Sequence, residues 1–248
     1  MWSVELQMRL DKFLAHTGFG SRKDVKRLAW RGRVTVNGEA VKKPERHVDV
    51  DKDEVHVDGE LIIYTKYVYV MANKPAGIIS AVTDPDGERT ISDLVADETG
   101  LFGLFPVGRL DKDATGLIIL TNDGIFSHRA TSPKKNVPKI YLVEVQGELT
   151  DIDVKAFASR IKIDDGYLCR EARLEIINSG AISTAHVTLT EGRFHQVKRM
   201  FQAVGKRVIS LKRISFAGVT LTDDLPEGSV RALTEDELAI IEPYLSDE

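Results

Sequence analysis

Four short stretches carry the side chains best suited to chemistry. Gly108-Arg109-Leu110-Asp111 is followed by the run Thr115-Gly116-Leu117-Ile118-Ile119-Leu120-Thr121-Asn122-Asp123-Gly124. A lone Asp in a loop is ordinarily a turn or cap residue. Asp111, however, precedes an apolar run with glycines that permit close backbone approach. That setting suits a carboxylate held in a cleft as nucleophile or base. Glu191-Gly192-Arg193-Phe194-His195-Gln196-Val197-Lys198-Arg199-Met200 turns from a strand pattern into a helix pattern with a basic cluster at the turn. Phosphate contact is one role for such a cluster, and a basic surface helix is the other. Lys139-Ile140-Tyr141-Leu142-Val143 opens a strand with a tyrosine that, alone, reads as core or edge packing. Asn73-Lys74-Pro75-Ala76-Gly77 is a Pro/Gly turn, structural or functional, set directly after a strand.

Other enzyme signatures are missing: there is no Walker A sequence, no G-x-S-x-G and no H-E-x-x-H. The six histidines are scattered and Cys169 is the one cysteine, so neither a metal site nor a disulfide framework is expected. No apolar run approaches the roughly 18 residues of a membrane span. Met1-Trp2-Ser3-Val4-Glu5 lacks a signal-peptide pattern. A cytoplasmic protein is the expectation. With 248 residues, 42% hydrophobic and 29% charged, the chain reads as globular, with one large domain or two unequal ones.

The net charge of −4 hides strong segregation. Met8–Val50 holds eleven Lys+Arg against five Asp+Glu, a net of +6. Gly192–Thr222 holds seven Lys+Arg and no acid, and Asp223–Glu248 holds nine acids and only Arg231. A polyanion responds to local potential rather than net charge, so the two basic stretches together suit a nucleic acid; solvated faces on an ordinary surface are the equal alternative.

The elements that must position these residues follow from periodicity. Leu10, Phe13 and Leu14 mark one helix face; Ser21 with Asp24 is a capping box opening a second helix with Val25, Leu28 and Ala29 inward. Asn37-Gly38 between Val34–Val36 and Glu39–Val41 predicts a type I′ hairpin, and Asp58-Gly59 a second turn after Glu54–Val57. Strands are predicted at Tyr67–Ala72, Leu117–Thr121, Tyr141–Val145, Arg173–Ile177, Ala185–Thr190 and Val208–Leu211. Helices are predicted at Ile91–Val95, Asp151–Arg160, Phe194–Val204 and Glu235–Tyr244, the last carrying Leu238 and Ile241 onto the large domain. Consecutive strands without crossover helices argue an α+β fold with a mixed, mostly antiparallel sheet flanked by helices. The division expected is a small N-terminal domain over residues 8–60, a linker over 61–66 and a larger domain over 67–248.

In order and spacing, the four stretches resemble the RsuA-type family of RNA pseudouridine synthases. The first 50 or so residues resemble an S4 RNA-binding domain. The G-R-L-D stretch with its T-G-L…L-T-N-D-G continuation is the distinctive part. Ser127–Pro133 (S-H-R-A-T-S-P) and the F-H-Q-V-K-R-M-F run resemble the branch that modifies small-subunit ribosomal RNA. The resemblance implies isomerisation of a flipped-out uridine to pseudouridine without metal or organic cofactor. Asp111 would be the catalytic carboxylate, Lys198 its cationic partner, Tyr141 the residue against the target base and Val197 the apolar residue on the base's other face. Expected RNA contacts are Arg9, Ser21, Arg22, Lys23, Arg27 and Arg33 in the S4-like unit, with Asn73, Lys74, Arg109, Arg193, His195 and Arg199 in the large one. The expected partner is ribosomal RNA, free or in a ribosome assembly intermediate, bound by a monomer. The rival readings are a synthase acting on large-subunit RNA, a non-catalytic S4-type RNA binder, a glycosidase and a helix-turn-helix DNA binder. Asp111 and Asp113 are too near in sequence to suit a glycosidase pair. The hairpin at Asn37-Gly38 favours S4 over helix-turn-helix.

Overall fold

The computed structural model describes residues 7–245, so the Met1–Glu5 reading lies outside the described residues. The N-terminal part begins with a strand, β1 (Gln7–Arg9), then helices α1 (Leu10–His16) and α2 (Arg22–Trp30). Strands β2 (Val34–Val36), β3 (Glu39–Ala40), β4 (His47–Asp49), β5 (Val55–Val57) and β6 (Glu60–Leu61) follow. Local chemistry sets most of it. The Ser21 hydroxyl accepts from the Asp24 amide, and the Asp24 carboxylate accepts from the Ser21 amide, closing the capping box of α2. Asn37 and Gly38 both take positive φ, 53° and 79°, as a type I′ turn requires. Leu10, Phe13, Leu14, Val25, Ala29, Val34, Val36, Val55 and Val57 form one apolar core. Leu28 is only half-buried against it.

The remaining elements are β7 (Tyr69–Lys74), α3 (Ile91–Thr99), β8 (Phe105–Pro106), β9 (Thr115–Thr121), α4 (Gly124–Thr131), β10 (Lys139–Gln146) and α5 (Asp151–Ala158). They continue with β11 (Arg173–Asn178), β12 (Ile182–Leu189), α6 (Gln196–Ala203), β13 (Arg207–Phe216), β14 (Val219–Thr220), β15 (Val230–Ala232) and α7 (Glu235–Leu245). The main sheet runs β11-β12-β10-β13-β9-β7-β15, with β14 beside β13 and β8 beside β9. Pairings between these strands are antiparallel except β13 with β9. The α+β fold with a mixed, mostly antiparallel sheet is therefore the observed one.

On β9, Leu117 and Ile119 face one core while Ile118 and Leu120 face another, so both sides of the strand are covered. Phe157, Val197, Met200 and Phe201 from α5 and α6 cover one side. Phe126, Ala130 and Ile241 from α4 and α7 cover the other. By contrast, β10 alternates buried Tyr141, Val143 and Val145 with more exposed neighbours.

The parallel contact joins the sheet's two antiparallel halves through Lys212 opposite Thr115 and Arg213 opposite Gly116. There the backbones approach so closely that a Cβ on Gly116 would lie 2.2 Å from the Arg213 carbonyl oxygen. Gly116 also has φ +101°, a conformation that disfavours any side chain. Asp111 lies just ahead of this junction.

Several features departed from the expectations. Helix α4 was not anticipated; Asp123 caps it by accepting from the amides of Ile125 and Phe126. Strand β1 pairs with β4, which gives Gln7 a place in the fold. Finally, β7 extends two residues beyond the predicted strand, because Asn73 and Lys74 pair with Leu117 and Gly116 of β9.

Candidate active site

Asp111 lies in the loop that enters β9, and that loop is held from behind. Lys74 is wholly buried, and its ammonium donates to the carbonyls of Pro75 (2.9 Å), Lys112 (3.2 Å) and Ala114 (2.8 Å). The Gly77 amide donates to the same Lys112 carbonyl at 2.8 Å. Ser80 brackets Leu110 by donating to its carbonyl (2.8 Å) and accepting from its amide (3.0 Å). The Asn73–Gly77 stretch is thus scaffolding. The expected RNA contacts of Asn73 and Lys74 are corrected: both are interior, and the Asn73 amide donates to the Leu225 carbonyl. Burial pushes the Lys74 pKa down to about 8 against the pull of Asp113, Asp111 and Glu227.

On the open side of the loop, the Lys198 Nζ from α6 lies 3.1 Å from Asp111 Oδ2 and 2.6 Å from Asp113 Oδ1. Burial opposes the charge on Lys198, but its hydrogen bonds to Asp113 and Asp111 outweigh it and raise the pKa. The same hydrogen bond holds the Asp113 carboxyl below its usual range. One ammonium thus serves two carboxylates. His195 Nε2 stands 3.6 Å from Asp111 Oδ1.

Tyr141 and Val197 are buried in the same apolar cluster, which also contains Leu110 and Ala114 on either side of Asp111. Opposite Tyr141 on β13 is Arg213, which the sequence reading missed. Arg213 is fully buried; its Nε donates to the Leu117 carbonyl at 2.7 Å, and its Nη2 has no hydrogen-bond partner among the described residues. Burial lowers its pKa, while the adjacent Tyr141 side chain opposes that fall. Its place in the basic Gly192–Thr222 stretch disguised it as one more surface cation.

The other expected contacts divide by accessibility. Arg22, Lys23 and Arg109 are exposed, and Arg193 is exposed with its guanidinium 3.3 Å over the Tyr167 ring. Arg9 pairs with Asp11 at 2.6 Å, Arg27 with Asp24 at 3.2 Å, and Arg33 with Asp58. The pairs of Arg27 and Arg33 are exposed on both sides and weak enough to yield to phosphate, whereas Asp11 is buried. Arg199 is largely covered and bound to both Asp164 and Asp165. The Ser21 hydroxyl is engaged with Asp24 in the cap of α2. Among the described residues no group of three or more His, Cys, Asp or Glu is placed to hold a metal ion. No helix among them is long and apolar enough to cross a membrane.

Residues 68–203 match the family model for RNA pseudouridylate synthase. The chain belongs to that family. Residues 8–55 match the S4 domain. An uncharacterised RNA pseudouridine synthase of Bacillus subtilis, YtzG, is 43% identical, covering 94% of this chain and 98% of its own. The ribosomal small subunit pseudouridine synthase A of Escherichia coli K12 is 38% identical, over 94% of this chain and 100% of its own. A crystal structure of a pseudouridylate synthase superposes with a TM-score of 0.64 at 34% identity, covering 94% of this chain and 99% of that one. In this synthase, then, the carboxylate–lysine contact sits on a matching fold, at the join between the two halves of the sheet.

Proposed function

We propose that this synthase isomerises a specific uridine of small-subunit ribosomal RNA to pseudouridine, with Asp111 as the reacting carboxylate. The observation that carries the reading is the Asp111–Lys198 contact of 3.1 Å beside buried Tyr141 and Val197. The small-subunit target is supported by a relative of that name sharing 38% identity over 94% of this chain.

The target uridine leaves its stack, because a stacked base shields its glycosidic bond from any side chain. Tyr141 and Val197 bracket the uracil above Asp111. Ionised Asp111 then acts at the sugar, either attacking C1′ or removing the proton at C2′. The N1–C1′ bond breaks, and Lys198 keeps the carboxylate charged. The uracil turns, and C5 bonds to C1′ as the Asp111–C1′ bond breaks or, in the C2′ route, as Asp111 returns the proton to C2′. The proton on C5 is lost toward the Tyr141 hydroxyl, and a proton is gained at N1. The atom count of the RNA is unchanged. Residues 8–60 supply affinity and residues 67–248 the chemistry, joined through 61–66. The exposed Arg22 and Lys23 meet phosphates and 2′-hydroxyls, which RNA helices offer more readily than base edges. The enzyme works as a cytoplasmic monomer on RNA that is free or within an assembling ribonucleoprotein.

The test uses the protein and Asp111→Asn with small- and large-subunit ribosomal RNA from cells lacking the gene. Pseudouridine is mapped by carbodiimide modification and reverse transcription. One new small-subunit site, absent with Asp111→Asn although RNA still binds, is expected. A site in large-subunit RNA moves the target, and no site on either RNA with binding intact overturns the reading.

A further inference from the structure

Between β12 and α6 the chain makes a turn that holds an aromatic ring outward beside Asp111. The Gln196 amide donates to the Arg193 carbonyl at 3.1 Å, closing the turn around Phe194 and His195. His195 sits in the left-handed region, φ 51° and ψ 30°, which is uncommon for a residue with a side chain. A buried network maintains it. Gln196 accepts from the Arg193 amide (2.9 Å) and donates to Glu191 (2.6 Å), which also accepts from the Tyr167 hydroxyl (2.8 Å) and the Arg170 amide (2.8 Å). The outcome is a Phe194 side chain that is 75% exposed, with its ring stacked on His195 at 3.7 Å and 20° between planes. His195 in turn reaches to 3.6 Å from Asp111.

A lone exposed phenylalanine needs no explanation. Here the turn that carries the ring is held by a buried network, the ring is stacked on His195, which lies 3.6 Å from Asp111, and the exposed Arg193 precedes it in the chain. We propose that Phe194 is a stacking face for the nucleobase adjoining the flipped uridine, an inference that rests on the synthase reading above. Flipping removes the stacking partner of the adjoining base. An aromatic ring restores that contact without regard to base identity. His195 backs the ring and spans the distance to Asp111, so the stack couples the RNA's position to the reacting carboxylate.

The test compares Phe194→Ala, Phe194→Leu and Phe194→Trp. Affinity for small-subunit ribosomal RNA is measured over a range of salt, and pseudouridine formation under single-turnover conditions. Ala and Leu are expected to weaken binding about tenfold or more. The slope of log affinity against log salt stays unchanged, because no phosphate contact is lost. Trp, which keeps a stacking face, recovers most of the loss. Thermal melts confirm folding, since little core is removed at an exposed position. Leu behaving as the unaltered protein overturns the proposal, as does a reduced salt slope. If no variant and no unaltered protein makes pseudouridine, the synthase reading fails, and the affinity series still decides whether Phe194 stacks on RNA.

Discussion

Replacing Lys74 by methionine removes the clamp behind Asp111 while keeping an apolar stem of similar length. The ammonium makes three hydrogen bonds of 2.8–3.2 Å to carbonyls, two of them in the Asp111 loop. Bonds to a charged donor contribute about 1.5–3 kcal/mol each, so roughly 5–9 kcal/mol is at stake. Against this stands the cost of burying the charge. A pKa lowered from 10.5 to about 8 corresponds to about 3 kcal/mol at 1.36 kcal/mol per pH unit. The net loss for Lys74→Met is thus about 2–6 kcal/mol, enough to loosen the loop without unfolding a domain at the stable end of the usual range. Far-UV circular dichroism in urea follows the unfolding of the large sheet. The expected result is a lowered dichroism midpoint and a severe loss of turnover. The pH dependence adds a second check. Between about pH 8 and 10.5 the unfolded chain still holds the proton that folded Lys74 has released, so this group makes stability rise with pH. Lys139, whose burial likewise lowers its pKa to about 8, contributes in the same direction. Lys74→Met should flatten the Lys74 share of that rise. A variant with unaltered stability and turnover would refute the clamp.

Lys198→Met should lower the single-turnover rate about a hundredfold with RNA affinity little changed, because the carboxylate loses its 3.1 Å partner. Equal losses in rate and affinity would show Lys198 to be an RNA contact instead. Gly116→Ala should destabilise the large domain by more than about 3 kcal/mol, since its Cβ would meet the Arg213 carbonyl at 2.2 Å; a melting temperature within a degree of the unaltered protein contradicts the close parallel junction. Replacing exposed Arg22 and Lys23 by alanine should lower the salt slope of RNA binding by roughly 0.7–0.9 per lost phosphate contact, leaving the saturated rate intact. An unchanged slope would place RNA elsewhere on the surface.

Features set by neighbours in the chain were readable without a structure. The Ser21/Asp24 cap and the Asn37-Gly38 turn each depend on residues within four positions, and both are present. The same holds for the apolar faces of α1 and α2. What failed was the fate of charged residues. Asn73 and Lys74 read as a polar loop because polar residues before Pro75-Ala76-Gly77 suggest a turn, yet they finish a strand whose partner lies some forty residues away. The ion pairs of Arg199 were not legible because its partners, Asp164 and Asp165, are assigned only by geometry.

From the sequence alone came the ordered motifs, the segregated charge and the α+β class, since these follow from residue types and from periods of two and 3.6. Tertiary structure alone determined which cations remain free. A lysine exposed to water and a lysine donating to three buried carbonyls are the same letter, and only the surrounding dipoles separate them. It also decided the junction of β9 with β13, where a glycine, a buried arginine and a tyrosine from three distant strands meet. Such contacts depend on backbones approaching across the sheet, a distance that no local pattern encodes.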